Sequence, residues 1–380
     1  MKICFLVHDL GAQSGRGRYA KEIIERMALK NYEVEIFSEV ESDNALVNLA
    51  QADPTGSARL LERGLLRGSM NNPFFIFWNA WRIRKYLKDC DIIHCFDGYP
   101  YGIIGALANI GLNKKLIING VGTYSVLPLT QWRYSFLLKW AYKRADKILC
   151  ISHFTCREII KKVPNLENLR VVNLGVDLDK FRIIDNKSRI ENDSKVIIGV
   201  GALKQEKGYH ISIPAVGLIK DKYPNLKYYI IGDQFNKKYF HKLQELVKEY
   251  NLENNVIFLE NLSDEELLKI YNQADLFLLT PINERDSFEG FGLVYLEANA
   301  CGKPVIGTRH CGAEDIIENG YNGFLVFQRD ANDTAEAIVK ILDDDELAQR
   351  MGKNGRRKAE EMTWDKTIED YMDEYNDLIK

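Results

Sequence analysis

The chain has 380 residues, 46% of them hydrophobic and 28% charged, with a formal net charge of −3. That balance is ordinary for a water-soluble globular protein, long for one hydrophobic core and sufficient for two domains. No stretch reaches the roughly 18 consecutive apolar residues of a membrane span.

The first residues, Met-Lys-Ile-Cys-Phe-Leu-Val-His-Asp, turn polar after five apolar positions and read as a buried first strand, not a signal peptide. Further strands are expected at Val34–Phe37, Ile92–Cys95, Leu116–Ile118, Ile148–Ile151 and Val171–Val172. A second series follows at Val196–Val200, Tyr228–Ile231, Val256–Leu259, Leu276–Leu279, Val305–Ile306 and Phe324–Phe327. Helical patterns fill most gaps, among them Arg18–Ala28, Ser135–Arg144, Phe240–Tyr250 and Asp264–Gln273. Alternating strand and helix predicts parallel sheets covered on both faces, and two series predict two doubly wound, Rossmann-like α/β domains facing a central cleft. The polar, aperiodic stretch from Asp185 to Ser194 marks the break, giving domains 1–177 and 178–364.

Charge divides along the same line. Residues 1–177 hold 24 Lys and Arg against 17 Asp and Glu; the rest hold 27 against 37. Residues 59–88 concentrate Arg59, Arg63, Arg67, Arg82, Arg84, Lys85 and Lys88 among Phe74, Phe75, Phe77, Trp78 and Trp81. A basic stretch with aromatic side chains suits an anionic membrane surface; amphipathic helices packed on the sheet with a solvated basic edge are the competing reading. No reader motif for nucleic acid accompanies the charge. Seven Cys without Cys-x-x-Cys spacing suit reduced thiols in a cytoplasmic protein, and six scattered His show no ligand spacing, so no metal is expected.

Residues 288–304, Phe-Glu-Gly-Phe-Gly-Leu-Val-Tyr-Leu-Glu-Ala-Asn-Ala-Cys-Gly-Lys-Pro, carry the chemistry. Glu289 stands before a Gly-Phe-Gly turn that opens a short helix bearing Glu297. Backbone N–H groups in the first turn of a helix form an anion site, and a carboxylate beside it can accept from two neighbouring hydroxyls. Phosphate next to a sugar diol describes a nucleotide sugar. Two Glu at this spacing also occur by accident, and a lone Glu289 would favour a helix N-terminus electrostatically.

This segment resembles the mark of retaining glycosyltransferases of family 4, two Glu separated by seven residues in the context Glu-Gly-Phe-Gly…Glu-Ala…Ala-Cys-Gly-x-Pro-Val. The resemblance implies the GT-B fold, with a final helix, about 365–380, crossing back to the first domain. It implies that the first domain binds the acceptor and the second the donor, a UDP- or GDP-linked sugar. Glu289 resembles the Glu facing the donor sugar and Glu297 the Glu that takes the ribose hydroxyls, while Gly290, Phe291 and Gly292 present backbone N–H groups. Gly199–Gly208 resembles the segment whose Arg and Lys bind the diphosphate. Lys207 matches the Lys, but Ala202 stands at the Arg position, and Lys204 is the candidate replacement. Leu259 is expected beside the nucleobase, with plain strand core as the alternative.

In the first domain, Gly15-Arg16-Gly17 is expected just before the first helix, where Gly15 lets a phosphate approach and Arg16 meets the acceptor; an ordinary strand-to-helix turn fits the residues as well. The family often has His-x-His after the third strand; here Phe96 replaces the second His, Asp97 is the polar substitute facing the crevice, and His94 reads as buried structure. The resemblance implies front-face attack, with the leaving phosphate accepting the acceptor's proton, positioning and electrostatics supplied by Glu289, Lys207 and Asp97, and no metal or cofactor. The acceptor is expected to be a carbohydrate or lipid-linked hydroxyl, and the protein to be cytoplasmic, peripheral on the inner membrane face. Rival readings are a nucleotide-sugar epimerase of the same architecture and a non-catalytic nucleotide-sugar binder.

Overall fold

A computed structural model describes residues 1–11, 15–30, 32–39, 60–63, 65–66, 73–184, 194–285 and 287–380. The chain forms two compact units, Met1–Leu174 with Trp364–Lys380, and Gly175–Thr363. Among the described residues, no helix is long and apolar enough to cross a membrane.

Among the described residues the first unit is built on seven parallel strands: β1 Lys2–Val7, β2 Glu33–Ser38, β3 Leu60–Arg63, β4 Ile92–Cys95, β5 Lys115–Gly120, β6 Lys147–Cys150 and β7 Leu169–Val171. Their order is β3-β2-β1-β4-β5-β6-β7. A parallel sheet is covered on both faces, so its strands read as unbroken apolar runs; Ile3 to Val7 are all fully buried. The helices are α1 Gly15–Leu29, α2 Pro73–Ile83, α3 Ile103–Ala108, α4 Thr123–Val126, α5 Trp132–Arg144 and α6 His153–Lys162.

Two expectations change here. Gly15, Arg16 and Gly17 do not precede the first helix but form its first turn. The backbone cost of glycine applies to helix interiors, and first-turn N–H groups have no intrahelical partner in any case. In the segment 59–88, a helical reading misses β3, which adds to β2 with Val34 opposite Leu60 and Phe37 opposite Arg63. Leu-Leu-Glu-Arg has helical propensity; pairing with an open sheet edge overrides it.

The second unit has six parallel strands: β8 Val196–Val200, β9 Lys227–Ile231, β10 Val256–Leu259, β11 Leu276–Leu278, β12 Val305–Thr308 and β13 Gly323–Val326. Their order is β10-β9-β8-β11-β12-β13. Its helices are α7 Tyr209–Ile219, α8 Lys237–Glu249, α9 Asp264–Gln273, α10 Leu293–Ala300, α11 Ala331–Leu342 and α12 Asp345–Glu361. Local signals set the ends. Ser263 and Glu266 close a capping box on α9, and Asp330 and Asp344 cap α11 and α12. The chain passes between the units at Leu174–Gly175, ahead of the expected break, and the polar stretch 185–193 lies outside the described residues.

The last helix, α13 Trp364–Ile379, packs on α1 in the first unit. It is fastened by a buried polar chain. Tyr375 Oη lies 2.6 Å from His94 Nδ1, and His94 Nε2 lies 2.9 Å from Asn119 Oδ1. Asn119 Nδ2 donates to Tyr19, whose hydroxyl is 2.8 Å from that of Tyr371. Asn119 Oδ1 can only accept, so Nε2 carries the imidazole proton and Nδ1 accepts from Tyr375. Burial holds His94 neutral, lowering its pKa from 6.5 to about 4. His94 is thus buried structure, as its strand position indicates.

A depressed histidine pKa makes stability pH-dependent. The unfolded chain takes up a proton near pH 6.5 that the folded chain refuses until about pH 4. The His94 contribution is complete above pH 6.5 and is lost as the pH falls toward 4. Urea midpoints at pH 7 and pH 5 should therefore fall further in the parent than in His94→Gln, by about 2 kcal/mol in unfolding free energy. Equal losses in the two proteins would show that this histidine is not held neutral.

Candidate functional site

In the second unit the strand order reverses at β8, which has β9 on one side and β11 on the other. Chains leaving neighbouring strands in opposite directions open a crevice beyond their carboxyl ends, where doubly wound sheets take ligands. The loops that leave there, 201–208 after β8 and 279–292 after β11, hold the candidate residues.

Gly208 joins the two loops. It has φ +73°, and a Cβ on it would sit 1.6 Å from the Thr280 carbonyl oxygen, so only glycine fits. Thr280 Oγ1 donates to the Gly208 carbonyl at 2.8 Å, and Ile282 N–H donates to the Glu206 carbonyl at 2.9 Å. That register brings Lys207 opposite Glu289, Nζ to Oε2 2.5 Å, with both side chains mostly shielded from solvent. The Glu289 carbonyl in turn accepts from Gly312 N–H at 2.8 Å.

Gly292 fixes the other end of the β11 loop. Its φ is +86°, and a Cβ would lie 2.6 Å from the Tyr295 ring. As the residue before α10 it offers no side-chain oxygen to the first-turn N–H groups, and its carbonyl accepts from Tyr295 N–H at 2.9 Å. Phe291 is buried in the turn. One α10 turn further, Glu297 is only 1% exposed and accepts from the Tyr271 hydroxyl at 3.1 Å.

The ion pair sits among neutral phenols. Tyr209 donates to the Gly201 carbonyl at 2.9 Å and Tyr295 to the Leu279 carbonyl at 2.8 Å. Burial, with the charge of Glu289 among the lesser causes, raises both phenols well above their ordinary range and pushes the Cys311 thiol up to about 12. These groups stay protonated at neutral pH, so the phenols and the thiol around the Lys207–Glu289 pair are neutral.

Lys204 follows β8 on the same loop, with its ammonium 5.7 Å from the ring centroid of exposed Phe235. Leu259 ends β10, half-buried, and its carbonyl accepts from Gly232 N–H at 3.0 Å. Lys204, Lys207, Leu259, Glu289, Gly290, Phe291, Gly292 and Glu297 all belong to the second unit.

Asp97, Gly15 and Arg16 belong to the first. Asp97 is almost fully buried, and its Oδ1 accepts from Gly98 N–H at 2.9 Å and from Ser125 Oγ at 3.0 Å, capping the helical turn Gly98–Gly102. The carboxylate expected to face a crevice is thus partly committed to its own backbone. It also lines a small cavity at the β1/β4 reversal with His8, Asp9, Ala20, Phe96 and Tyr101. There Tyr101 donates to Glu39 Oε2 at 2.9 Å, so His8 Nδ1, 3.0 Å from the same hydroxyl, is the donor to it. The Arg16 side chain lies outside the described residues.

Sequence reasoning missed Tyr271, Tyr209, Thr280 and the His8–Tyr101–Glu39 cluster. In sequence, each tyrosine reads as helix core, and only the fold shows which carbonyl or carboxylate its hydroxyl meets.

Two family models divide the chain: Glycosyltransferase Family 4 matches residues 14–180 and Glycosyl transferases group 1 matches 180–358. An uncharacterized glycosyltransferase of Methanocaldococcus jannaschii is 30% identical over 79% of this chain and 80% of its own. The capsular polysaccharide biosynthesis glycosyltransferase CapM of Staphylococcus aureus is 30% identical over 73% of this chain and 75% of its own. Among solved structures, Anabaena HepE in complex with UDP superposes with a TM-score of 0.81 at 20% identity, covering 99% of this chain and 100% of HepE. Twin parallel sheets, a strand-order reversal carrying the Glu-Gly-Phe-Gly helix, and relatives alike over most of their length lead to one conclusion: the chain is a glycosyltransferase of family 4 with the GT-B fold.

Proposed function

We propose that the protein is a retaining transferase that moves a sugar, a hexose in type, from a UDP- or GDP-linked donor to an acceptor hydroxyl. The observation that supports this most is the Lys207–Glu289 pair at the β8/β11 reversal, beside the Gly292 turn and its helix. In the reaction, the bond between the anomeric carbon and the β-phosphate oxygen breaks. The acceptor oxygen bonds to that carbon from the same face, and its proton passes to the departing phosphate oxygen. Negative charge grows on the phosphate and positive charge on the carbon. Lys207 and the N–H groups of Gly290, Phe291 and Gly292 stabilise the first, with Lys204 as second cation in place of Ala202; Glu289 stabilises the second and holds sugar hydroxyls. Glu297 takes the ribose hydroxyls, exchanging its bond to Tyr271, and Leu259 lies by the base. Lysines and backbone donors carry the phosphate charge, so the scheme needs no metal or cofactor.

In the first unit we assign Gly15 to the approach of the donor phosphate, Arg16 to the acceptor and Asp97 to the sugar or the acceptor hydroxyl, with a carbohydrate or lipid-linked hydroxyl as acceptor. CapM, named for capsular polysaccharide biosynthesis, makes a cell-envelope glycan a reasonable class, and HepE bound to UDP favours a uridine donor. Seven cysteines, none of them in a disulfide, suit a reducing cytoplasm, and the basic aromatic segment 59–88, of which Arg59 and Arg67 lie outside the described residues, suits a peripheral position on the inner membrane face.

Ligand binding to the folded state raises apparent stability by mass action, so UDP or GDP at one hundred times its dissociation constant should add about 2.7 kcal/mol. A thermal-shift screen reads this directly; no shift with either nucleotide, or with their sugars, contradicts the donor assignment. Glu289→Gln and Lys207→Ala should each lower turnover by about 10²–10³-fold, measured as nucleoside diphosphate released in the presence of acceptor. Parent-like turnover in either variant removes that residue from the mechanism.

A further inference from the structure

We infer that the first unit docks on an anionic lipid surface through two helices, α2 and α5, rather than through the 59–88 segment alone. The inference rests on the peripheral association proposed above and adds a second element to it.

The exposed side chains carry the argument. On α2, Phe74, Phe77 and Trp81 are 68%, 50% and 75% exposed. Their spacing places them on one helix face, opposite Ile76, Ala80 and Ile83, which are buried. On α5, Trp132 and Phe136 are 84% and 78% exposed, one turn apart, while Leu138, Ala141 and Tyr142 face the core. Apolar groups this large stand in water only at a cost, and five of them on two helices are side chains of the kind that mark an interaction surface.

The two faces belong together. Both helices pack against α3, and right-handed crossovers put α2, α3 and α5 on one side of the sheet, opposite α1.

Charge selects the occupant. Residues 73–88 and 131–144 hold Arg82, Arg84, Lys85, Lys88, Arg133, Lys139, Lys143 and Arg144, and not one Asp or Glu, in a chain whose net charge is −3. Arg82 lies over Trp78 with its guanidinium carbon 4.9 Å from the ring centroid, and Arg133 over Trp132 at 5.5 Å. A two-fold interface with a second copy would set these cations against themselves. Arg82 and Arg84 donate to the Leu65 and Ala108 carbonyls, and an anionic bilayer pairs with the exposed Lys85, Lys88, Arg133, Lys143 and Arg144 while the aromatic rings enter the headgroup layer.

The test is co-sedimentation of the full chain with vesicles of phosphatidylcholine alone or with phosphatidylglycerol, at low and high salt. The parent should bind the anionic vesicles at low salt and leave them as salt rises. Trp132→Ser/Phe136→Ser on α5, and separately Phe74→Ser/Trp81→Ser on α2, should each lower the partition about tenfold. Both pairs sit on the surface, so their melting temperatures and UDP-induced shifts should match the parent, which separates lost docking from lost folding. If only the α2 pair reduces binding, the two-helix face is overturned while the single-segment association stands. Failure of the parent to bind any vesicle removes both. Equal binding to neutral vesicles, a dimer dispersed by the α5 pair, or RNA binding through this face without lipid binding also overturns the inference.

Discussion

The contact between Gly208 and Thr280 is the constraint on which the candidate site rests. Two loops leaving neighbouring parallel strands diverge unless something joins them, and here a backbone-to-backbone approach does so that no side chain at residue 208 would permit. The approach fixes the register in which Ile282 meets Glu206, and that register sets Lys207 across from Glu289. At the far end of the second loop, Gly292 folds over Tyr295, whose hydroxyl returns to the Leu279 carbonyl. The loop carrying Glu289 is therefore held at its start by the loop that follows β8 and at its end by the return of Tyr295 to Leu279. A charge-stabilising site must be positioned before charge develops, and this loop supplies that positioning without a ligand.

The first unit uses buried polarity for a different purpose. The chain leaves it after Leu174 and returns at Trp364, and within the second unit Val176 N–H donates to the Met362 carbonyl at 2.9 Å. The returning helix must then be recognised by a surface far from it in sequence. Apolar contact alone would tolerate sliding along α1, since hydrophobic attraction is not directional. The ordered donors and acceptors from Tyr375 through His94 and Asn119 to Tyr19 and Tyr371 admit one register. A phenylalanine at any of these tyrosines would keep the packing and lose the register signal.

Much of this was legible in the residues. Mostly apolar runs located twelve of the thirteen strands among the described residues because a parallel sheet shields both faces of each, and the Gly-Phe-Gly turn announced α10 because only glycine takes the backbone it needs. The exception, β3, is an edge strand whose state is decided by its neighbour rather than its own sequence. Asp97 was legible as a polar residue at a strand end, but not as one that turns back to cap the next helical turn, because capping and facing a ligand call for the same residue type at the same place. The α5 aromatics were invisible for a related reason: Trp132 and Phe136 fit a core pattern as well as an exposed one, and which face of the helix is covered is settled only by the packing.

The departure at Ala202 has a physical reading on the proposed donor scheme. Lys207 meets the free protein already paired, so a diphosphate must compete with Glu289 for it. Lys204 holds only an aromatic ring at 5.7 Å, a contact worth about 0.5–1 kcal/mol at an exposed position. It is the cation that exchanges partners at less cost. An arginine at 202 would present a planar fork fitted to two phosphate oxygens at once, whereas a lysine two residues on presents a point charge on a flexible stem. The trade lowers geometric selectivity for the phosphate and leaves more of the burden of orientation to the Gly290–Gly292 backbone, whose turn the left-handed Gly292 fixes in advance.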